Sequence, residues 1–214
     1  MLPVVAFGFI FRKHNHVLVQ DVTQFFMRVG MKAILFCAGT RVKIEGYENV
    51  PLEPVLFISN HRSMFDIVLA YANVDKRLAF VGKKETRSMV LVGWIMELMG
   101  GMFLDRNDIR QGMEVINKAI DFIKKDGYSI WICPEGTRSK TADESELLPF
   151  HSGSFHVALK SGCKIVPVRI KGSREIFEAH MPWPKATDVT IKFLPAIDYD
   201  KGVTETVREM IKNA

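Results

Sequence analysis

Hydrophobic and polar positions change period repeatedly along this chain, and each change marks an element. Arg41-Val42-Lys43-Ile44-Glu45 alternates with period two, as a half-buried strand does. Val55–Ser59, Leu78–Val81, Tyr128–Cys133 and Lys164–Ile170 are short continuous apolar runs bounded by turn residues, the signature of strands buried on both faces. Met102–Leu104 and Val189–Phe193 are two further strands. Between them lie helical stretches: one begins at Phe65, another spans Met89–Met99 and ends at Gly100-Gly101, and shorter ones cover Gly153–Lys160 and Val203–Ile211. Asn107 or Asp108 caps a longer helix reaching about Lys125, with Ile109, Met113, Ile116, Ile120 and Ile123 spaced for one buried face. Strands alternating with helices predict an α/β fold: a single domain with a largely parallel mixed sheet flanked by helices.

The first forty residues break that pattern. Leu2–Phe11 is uncharged, carries Phe7, Phe9 and Phe11, and is closed by Arg12-Lys13; Phe25–Ala38 is apolar apart from Arg28 and Lys32. Both are too short and too interrupted to span a bilayer, and the first lacks the basic leader and cleavage site of a signal peptide. Two readings stand: an interfacial helical segment, with Lys and Arg reaching headgroups, or helices packed on the protein's own core. The expected organisation is a membrane-associating segment over 1–40, then the main domain over 41–214.

Composition narrows the chemistry. The 214 residues, 48% hydrophobic and 25% charged, suffice for one sizeable core and argue against disorder. Cys37, Cys133 and Cys163 are far apart, with neither a CxxC nor a nearby histidine cluster, so they predict neither a disulfide framework nor a zinc site. The His14/His16 pair has no third ligand in sight, and no metal is expected. A net charge of +5 suits anionic membranes or anionic small substrates. Basic residues form no run longer than two and do not interleave with aromatics, so no nucleic-acid partner is expected.

The most informative segment is Asn60-His61-Arg62-Ser63-Met64-Phe65-Asp66, lying between a buried strand and the start of a helix. His61 falls on the turn, where side chains meet ligands, and Asp66 lies about one helical turn further on. A carboxylate on one imidazole nitrogen fixes the tautomer and stabilises the imidazolium, which is what a general base needs. Ser63 to Asp66 is equally the spacing of a capping box. Three more strand ends carry polar punctuation: Gly100–Arg106, Pro134–Ser139 (Pro-Glu-Gly-Thr-Arg-Ser), and Val166-Pro167-Val168 on a strand bearing Arg169. Ligand sites of open α/β sheets gather at strand ends, and a guanidinium there donates two parallel hydrogen bonds to a phosphate.

In this order, the set resembles the glycerolipid acyltransferases, most closely the bacterial 1-acyl-sn-glycerol-3-phosphate acyltransferases, from about residue 41 to residue 171. His61 and Asp66 match the family's HxxxxD; Gly100-x-x-Phe103-x-x-Arg106, Pro134–Ser139 and Val166–Val168 match its other three blocks. The resemblance implies that His61 and Asp66 are catalytic, and that Arg106, Glu135, Gly136, Thr137 and Arg138 form the glycerol-phosphate site. Lys83, in a Lys-Lys-Glu stretch also similar to the family's, is implied as a second phosphate contact. This chain departs from the pattern at Met64, Thr86, Cys133 and His151, positions able to affect substrate preference.

The reaction so implied moves a fatty acyl group from acyl-CoA or acyl-carrier protein to the sn-2 hydroxyl of lysophosphatidate, with no cofactor. There is no GxSxG elbow, P-loop, GxGxxG or HExxH. The backbone amides at Arg62 and Ser63 are the candidate oxyanion donors. The threonine after Glu135-Gly136 favours a lysophosphatidate acceptor over glycerol 3-phosphate; another lysolipid, or a non-catalytic lipid-binding membrane module, are the alternatives. The expected location is the cytoplasmic face of the cell membrane, and oligomeric state is not legible.

Overall fold

The computed structural model describes residues 16–141 and 143–214. Leu2–Phe11, Arg12, Lys13 and His14 lie outside the described residues. Within them the helices are α1 (His16–Cys37), α2 (Phe65–Asn73), α3 (Val90–Leu98), α4 (Ile109–Asp126), α5 (His156–Ser161) and α6 (Val203–Lys212). The strands are β1 (Arg41–Glu45), β2 (Leu56–Ser59), β3 (Leu78–Lys83), β4 (Met102–Leu104), β5 (Ser129–Ile132), β6 (Ile165–Lys171) and β7 (Asp188–Phe193).

These strands form one sheet in the order β1-β7-β6-β2-β5-β3-β4. Pairing is parallel except between β6 and β7. Strands β6, β2, β5, β3 and β4 therefore end on one edge of the sheet, and the β6–β7 connection turns round on that same edge. The expected largely parallel mixed sheet is what forms.

Both faces of the central strands are covered, which is why they read as unbroken apolar runs rather than alternating ones. Phe57, Phe80 and Trp131 point to the face covered by α1, α2 and α3. Leu56, Ile58, Ile130 and Ile132, one residue out of phase, point to the face covered by α4, α5 and α6. Phe57 and Phe80 both stack on Trp131, with centroids 5.1 and 5.6 Å away, and the Trp131 indole donates to Ser59 Oγ at 2.8 Å. The β2 member of this aromatic layer, Phe57, lies four residues before His61, and the bond to Ser59 ties the layer to the end of the strand that enters the turn.

Helix α4 starts and stops as its sequence dictates. Asp108 caps it, accepting the Gln111 amide at 3.0 Å, and Gly127 ends it with φ +70°. Its buried face is not the expected one. Val115, Ala119 and Ile123 are buried with Ile116 and Ile120 beside them, while Ile109 and Met113 are exposed. At about 100° per residue, Met113 lies roughly 120° from Ala119, and the small side chain of Ala119 lets the helix axis sit close to the sheet. Helix α1 packs Met27, Met31 and Leu35 into the core and leaves Phe25, Phe26, Val29 and Phe36 exposed. No helix among the described residues is long and apolar enough to cross a membrane.

Candidate active site

The turn after β2 is fixed by side chains that accept its amides one after another. The His61 amide donates to Glu135 Oε1 at 2.8 Å. The Arg62 and Ser63 amides both donate to Asp66 Oδ2, at 2.8 and 2.9 Å. Met64 donates to Glu178 Oε1 at 2.7 Å, and Phe65 to Ser63 Oγ at 2.9 Å. Five consecutive N–H groups, three on the turn and two at the N-cap and first residue of α2, are thus satisfied by side chains. The Arg62 and Ser63 amides are already bonded to Asp66, so the expected oxyanion donors are corrected: these two groups are not free to hold an oxyanion.

Asp66 Oδ2 also lies 2.8 Å from His61 Nδ1. One carboxylate oxygen of the fully buried Asp66 thus meets the geometry of both readings of this spacing: it accepts the amides at the helix entry and holds the imidazole. The proton belongs on Nδ1, against Asp66, which leaves Nε2 as the basic nitrogen. His61 is partly exposed, so Nε2 is accessible from the open edge of the sheet.

Glu135 is buried, and its second oxygen accepts the Leu148 amide at 2.9 Å. Burial pushes its carboxyl above the usual range, opposed by the two amides it accepts. With one backbone amide on each oxygen, Glu135 joins the turns after β2 and β5 and holds the site's frame. Ser139 tightens the same seam by donating its amide to the His61 carbonyl at 2.9 Å.

Sheet order sets the cations beside this turn. Arg106 follows β4 and is exposed, with its guanidinium against Gly136 of the turn after β5. Gly136 has φ +72°, a backbone conformation that calls for glycine, and a Cβ there would come within 2.8 Å of Arg106 Cζ, so the guanidinium would have to shift. Arg138, half-exposed, donates to Glu178 at 2.9 Å. Lys83 ends β3 and pairs with Glu85 at 3.2 Å, while Lys84 pairs with Asp105 at 2.9 Å. Thr137 is exposed between Gly136 and Arg138. Arg106, Gly136, Thr137 and Arg138 are thus brought to one rim with His61, and Lys83 sits on the strand next to Arg106.

Two arginines behave differently. Arg169 is buried, donating to the Glu144 carbonyl, and burial lowers its pKa. Arg62, 2% exposed, donates to Ser139 Oγ, Thr141 Oγ1 and the carbonyls of Thr141 and Asp143. Both bind the strap after β5 from beneath instead of facing the rim. Val166–Val168 is likewise buried within β6 and takes no part in the rim. Cys133 lies 3.3 Å from Ser59 Oγ, and burial pushes its thiol up, so it is held as a thiol beside the histidine turn. No group of three His, Cys, Asp or Glu side chains among the described residues is placed to hold a metal. An open groove of about 410 Å³ between Leu52, Pro54, Lys76 and Arg77 takes in none of the residues that form the rim.

Sequence reasoning missed Glu178. It lies in the β6–β7 connection, more than a hundred residues from the turn it contacts. Only the position of that connection, on the edge where the parallel strands end, could have pointed to it.

A histidine–carboxylate pair thus stands at the ends of parallel strands, with arginines on the neighbouring turns. The acyltransferase family model matches residues 41–171, which span that whole arrangement. The chain belongs to the acyltransferase family. It is 36% identical over 135 residues to a 1-acyl-sn-glycerol-3-phosphate acyltransferase of Saccharomyces cerevisiae, a match covering 63% of this chain and 44% of that protein. It is 32% identical over 155 residues to the protein of the same description from Escherichia coli, covering 72% of this chain and 61% of that one. The chain thus spans less than two thirds of these acyltransferases. The crystal structure of the 1-acyl-sn-glycerophosphate (LPA) acyltransferase PlsC of Thermotoga maritima has the same fold, with a TM-score of 0.73 at 23% identity over 99% of this chain and 93% of that one.

Proposed function

We propose that this acyltransferase moves a fatty acyl group from acyl-CoA or acyl-carrier protein to the sn-2 hydroxyl of 1-acyl-sn-glycerol 3-phosphate, giving phosphatidic acid. The observation that carries the reading is the 2.8 Å contact of His61 Nδ1 with Asp66, in a partly exposed ring on the same sheet edge as Arg106 and Arg138. The relatives named above carry this activity in their descriptions.

His61 Nε2 takes the hydroxyl proton as the acceptor oxygen attacks the thioester carbonyl. Asp66 offsets the imidazolium charge and does not itself take the proton. Collapse of the tetrahedral intermediate breaks the carbon–sulfur bond, and the imidazolium proton goes to the departing thiolate. The new ester is the product, His61 is neutral again, and no nucleophilic side chain is used. General-base catalysis of this kind supplies about 10²–10⁴-fold. Arg106 and Arg138, with Lys83 further out, bind the acceptor phosphate; Gly136 and Thr137 shape the turn between the arginines, and Glu135 keeps it against the His61 turn.

The enzyme works as a peripheral protein at the cytoplasmic face of the cell membrane, with residues 1–40 as its interfacial segment and 41–214 as the catalytic domain. In support, α1 turns Phe25, Phe26, Val29 and Phe36 outward, with Lys32 exposed among them. Acyl transfer measured against lysophosphatidate, other lysolipids and glycerol 3-phosphate, with acyl-CoA and acyl-carrier protein in turn, tests the reading. Turnover is expected with lysophosphatidate above the other acceptors. No turnover with any of them would refute the proposal.

A further inference from the structure

Three carboxylates hold the turn that presents His61, and two of them, Asp66 and Glu135, come from motifs already assigned. The third is Glu178. Its Oε2 accepts the Ser63 hydroxyl at 2.5 Å, and its Oε1 accepts both the Met64 amide at 2.7 Å and Arg138 Nη1 at 2.9 Å. The side chain is 14% exposed, so these contacts are only partly open to water.

The segment that delivers Glu178 is firmly seated. Ser173 and Ile176 are buried at its base, and the Phe177 ring packs on Phe65 in the first turn of α2 with centroids 6.2 Å apart. The Ala179 and His180 amides close back on the Arg174 and Phe177 carbonyls at 3.1 and 2.9 Å. A carboxylate held this way is a fixed point. Its contacts at Ser63 and Met64 lie between His61 and Asp66, so they set the path of the chain joining the base to its orienting group.

We propose that Glu178 is a positioning residue for the reaction, the third carboxylate clamp on the catalytic turn, acting through Ser63 and Met64 on the orientation of His61. This rests on the acyl-transfer reading above. Catalysis is sensitive to such placement, because the barrier includes the cost of aligning base and hydroxyl. Two of the three contacts of Glu178 are to the turn itself and the third is to Arg138, so action through the turn lowers turnover, whereas action through Arg138 would raise the acceptor Michaelis constant.

The test is steady-state kinetics with lysophosphatidate and acyl-CoA on Glu178→Ala and Glu178→Gln, alongside thermal melts. A lost charge-assisted hydrogen bond corresponds to about tenfold or more. Glu178→Ala is therefore expected to lower kcat about tenfold in protein that is folded, with both KM values within about threefold of wild type. Glu178→Gln keeps an acceptor oxygen for the turn and is expected to restore kcat to within about threefold of wild type. Should Glu178→Ala not fold, Glu178→Asp carries the test: it keeps the charge but withdraws it by one methylene, and is expected to lose turnover. Wild-type kcat in the alanine or aspartate variant overturns the inference, as does a glutamine variant that falls as far as alanine. A loss confined to the KM for lysophosphatidate also overturns it, since Glu178 would then act through Arg138. An inactive wild-type protein would instead count against the acyl-transfer reading itself.

Discussion

The turn carrying His61 and the rim carrying Arg106 and Arg138 sit on the same sheet edge and are built on opposite principles. In the turn, every amide from His61 to Phe65 already has an acceptor, and three carboxylates come in from separate parts of the chain. On the rim, Arg106 is exposed and Arg138 and Lys83 are about half-exposed. On the function proposed above, the difference follows from two tasks. A base must be aligned before substrate arrives, since order created during folding is not charged to the reaction. A headgroup site needs cations that stay hydrated until an anion replaces the water, and exposed guanidinium groups do that at little cost to stability.

That contrast predicts effects of different size and kind. His61→Ala should lower kcat by about 10²–10⁴-fold while leaving the melting temperature near that of wild type. Folded His61→Ala protein keeping more than about a tenth of wild-type turnover would remove the base from the mechanism. Asp66→Asn should also cost turnover heavily, with an added loss of stability, because the amide is a poorer acceptor for the imidazole and the two backbone N–H groups. A variant that lost turnover without any change in thermal unfolding would separate orientation from capping more cleanly than expected here.

Arg106→Ala and Arg138→Ala should each reduce kcat/KM for the acceptor by roughly 10–150-fold, the worth of a charge-assisted hydrogen bond of about 1.5–3 kcal/mol. Use of the acyl donor should change little. An unchanged acceptor kcat/KM in both variants, with donor and acceptor varied separately, would take phosphate recognition away from this rim.

How far each region could be read from the sequence follows the same division. The placement of His61, Asp66, Arg106 and Arg138 was legible because it is local: a short spacing, or an arginine just past a strand. The strands were legible because burial on both faces leaves unbroken apolar runs such as Leu56-Phe57-Ile58. What escaped was the use made of these groups. The free amides expected at Arg62 and Ser63 are taken by Asp66, a bond between residues three and four apart whose existence depends on the turn's path. That Glu135 ties two turns together, each oxygen accepting a backbone amide of another segment, has no sequence signal. Glu178 depends on where the β6–β7 connection falls, which is a property of the sheet's topology. On α4 the period was right and the phase was wrong, since Ala119 carries little hydrophobic signal but marks the line of closest approach.

Smaller effects are expected away from both regions. Replacing Phe25, Phe26 and Phe36 by serine should weaken flotation with anionic liposomes, as should high salt, with turnover on detergent-dispersed substrate preserved; equal flotation of the triple variant would place the membrane contact elsewhere. Cys133→Ala should change kcat little, because the buried thiol is held protonated and the mechanism uses no sulfur nucleophile. Loss of activity in a folded Cys133→Ala protein would require a different mechanism.

The central claim, that the turn performs the chemistry and the rim reads the phosphate, is tested most directly by one ratio. It is kcat/KM for lysophosphatidate over kcat/KM for the matching monoacylglycerol, measured in wild type, His61→Gln and the Arg106→Ala/Arg138→Ala double variant. His61→Gln should depress both acceptors together and leave the ratio where it stands in wild type. The double arginine variant should collapse the ratio towards one while still acylating monoacylglycerol at the wild-type rate. A double variant that kept the wild-type preference for the phosphorylated acceptor would contradict the account.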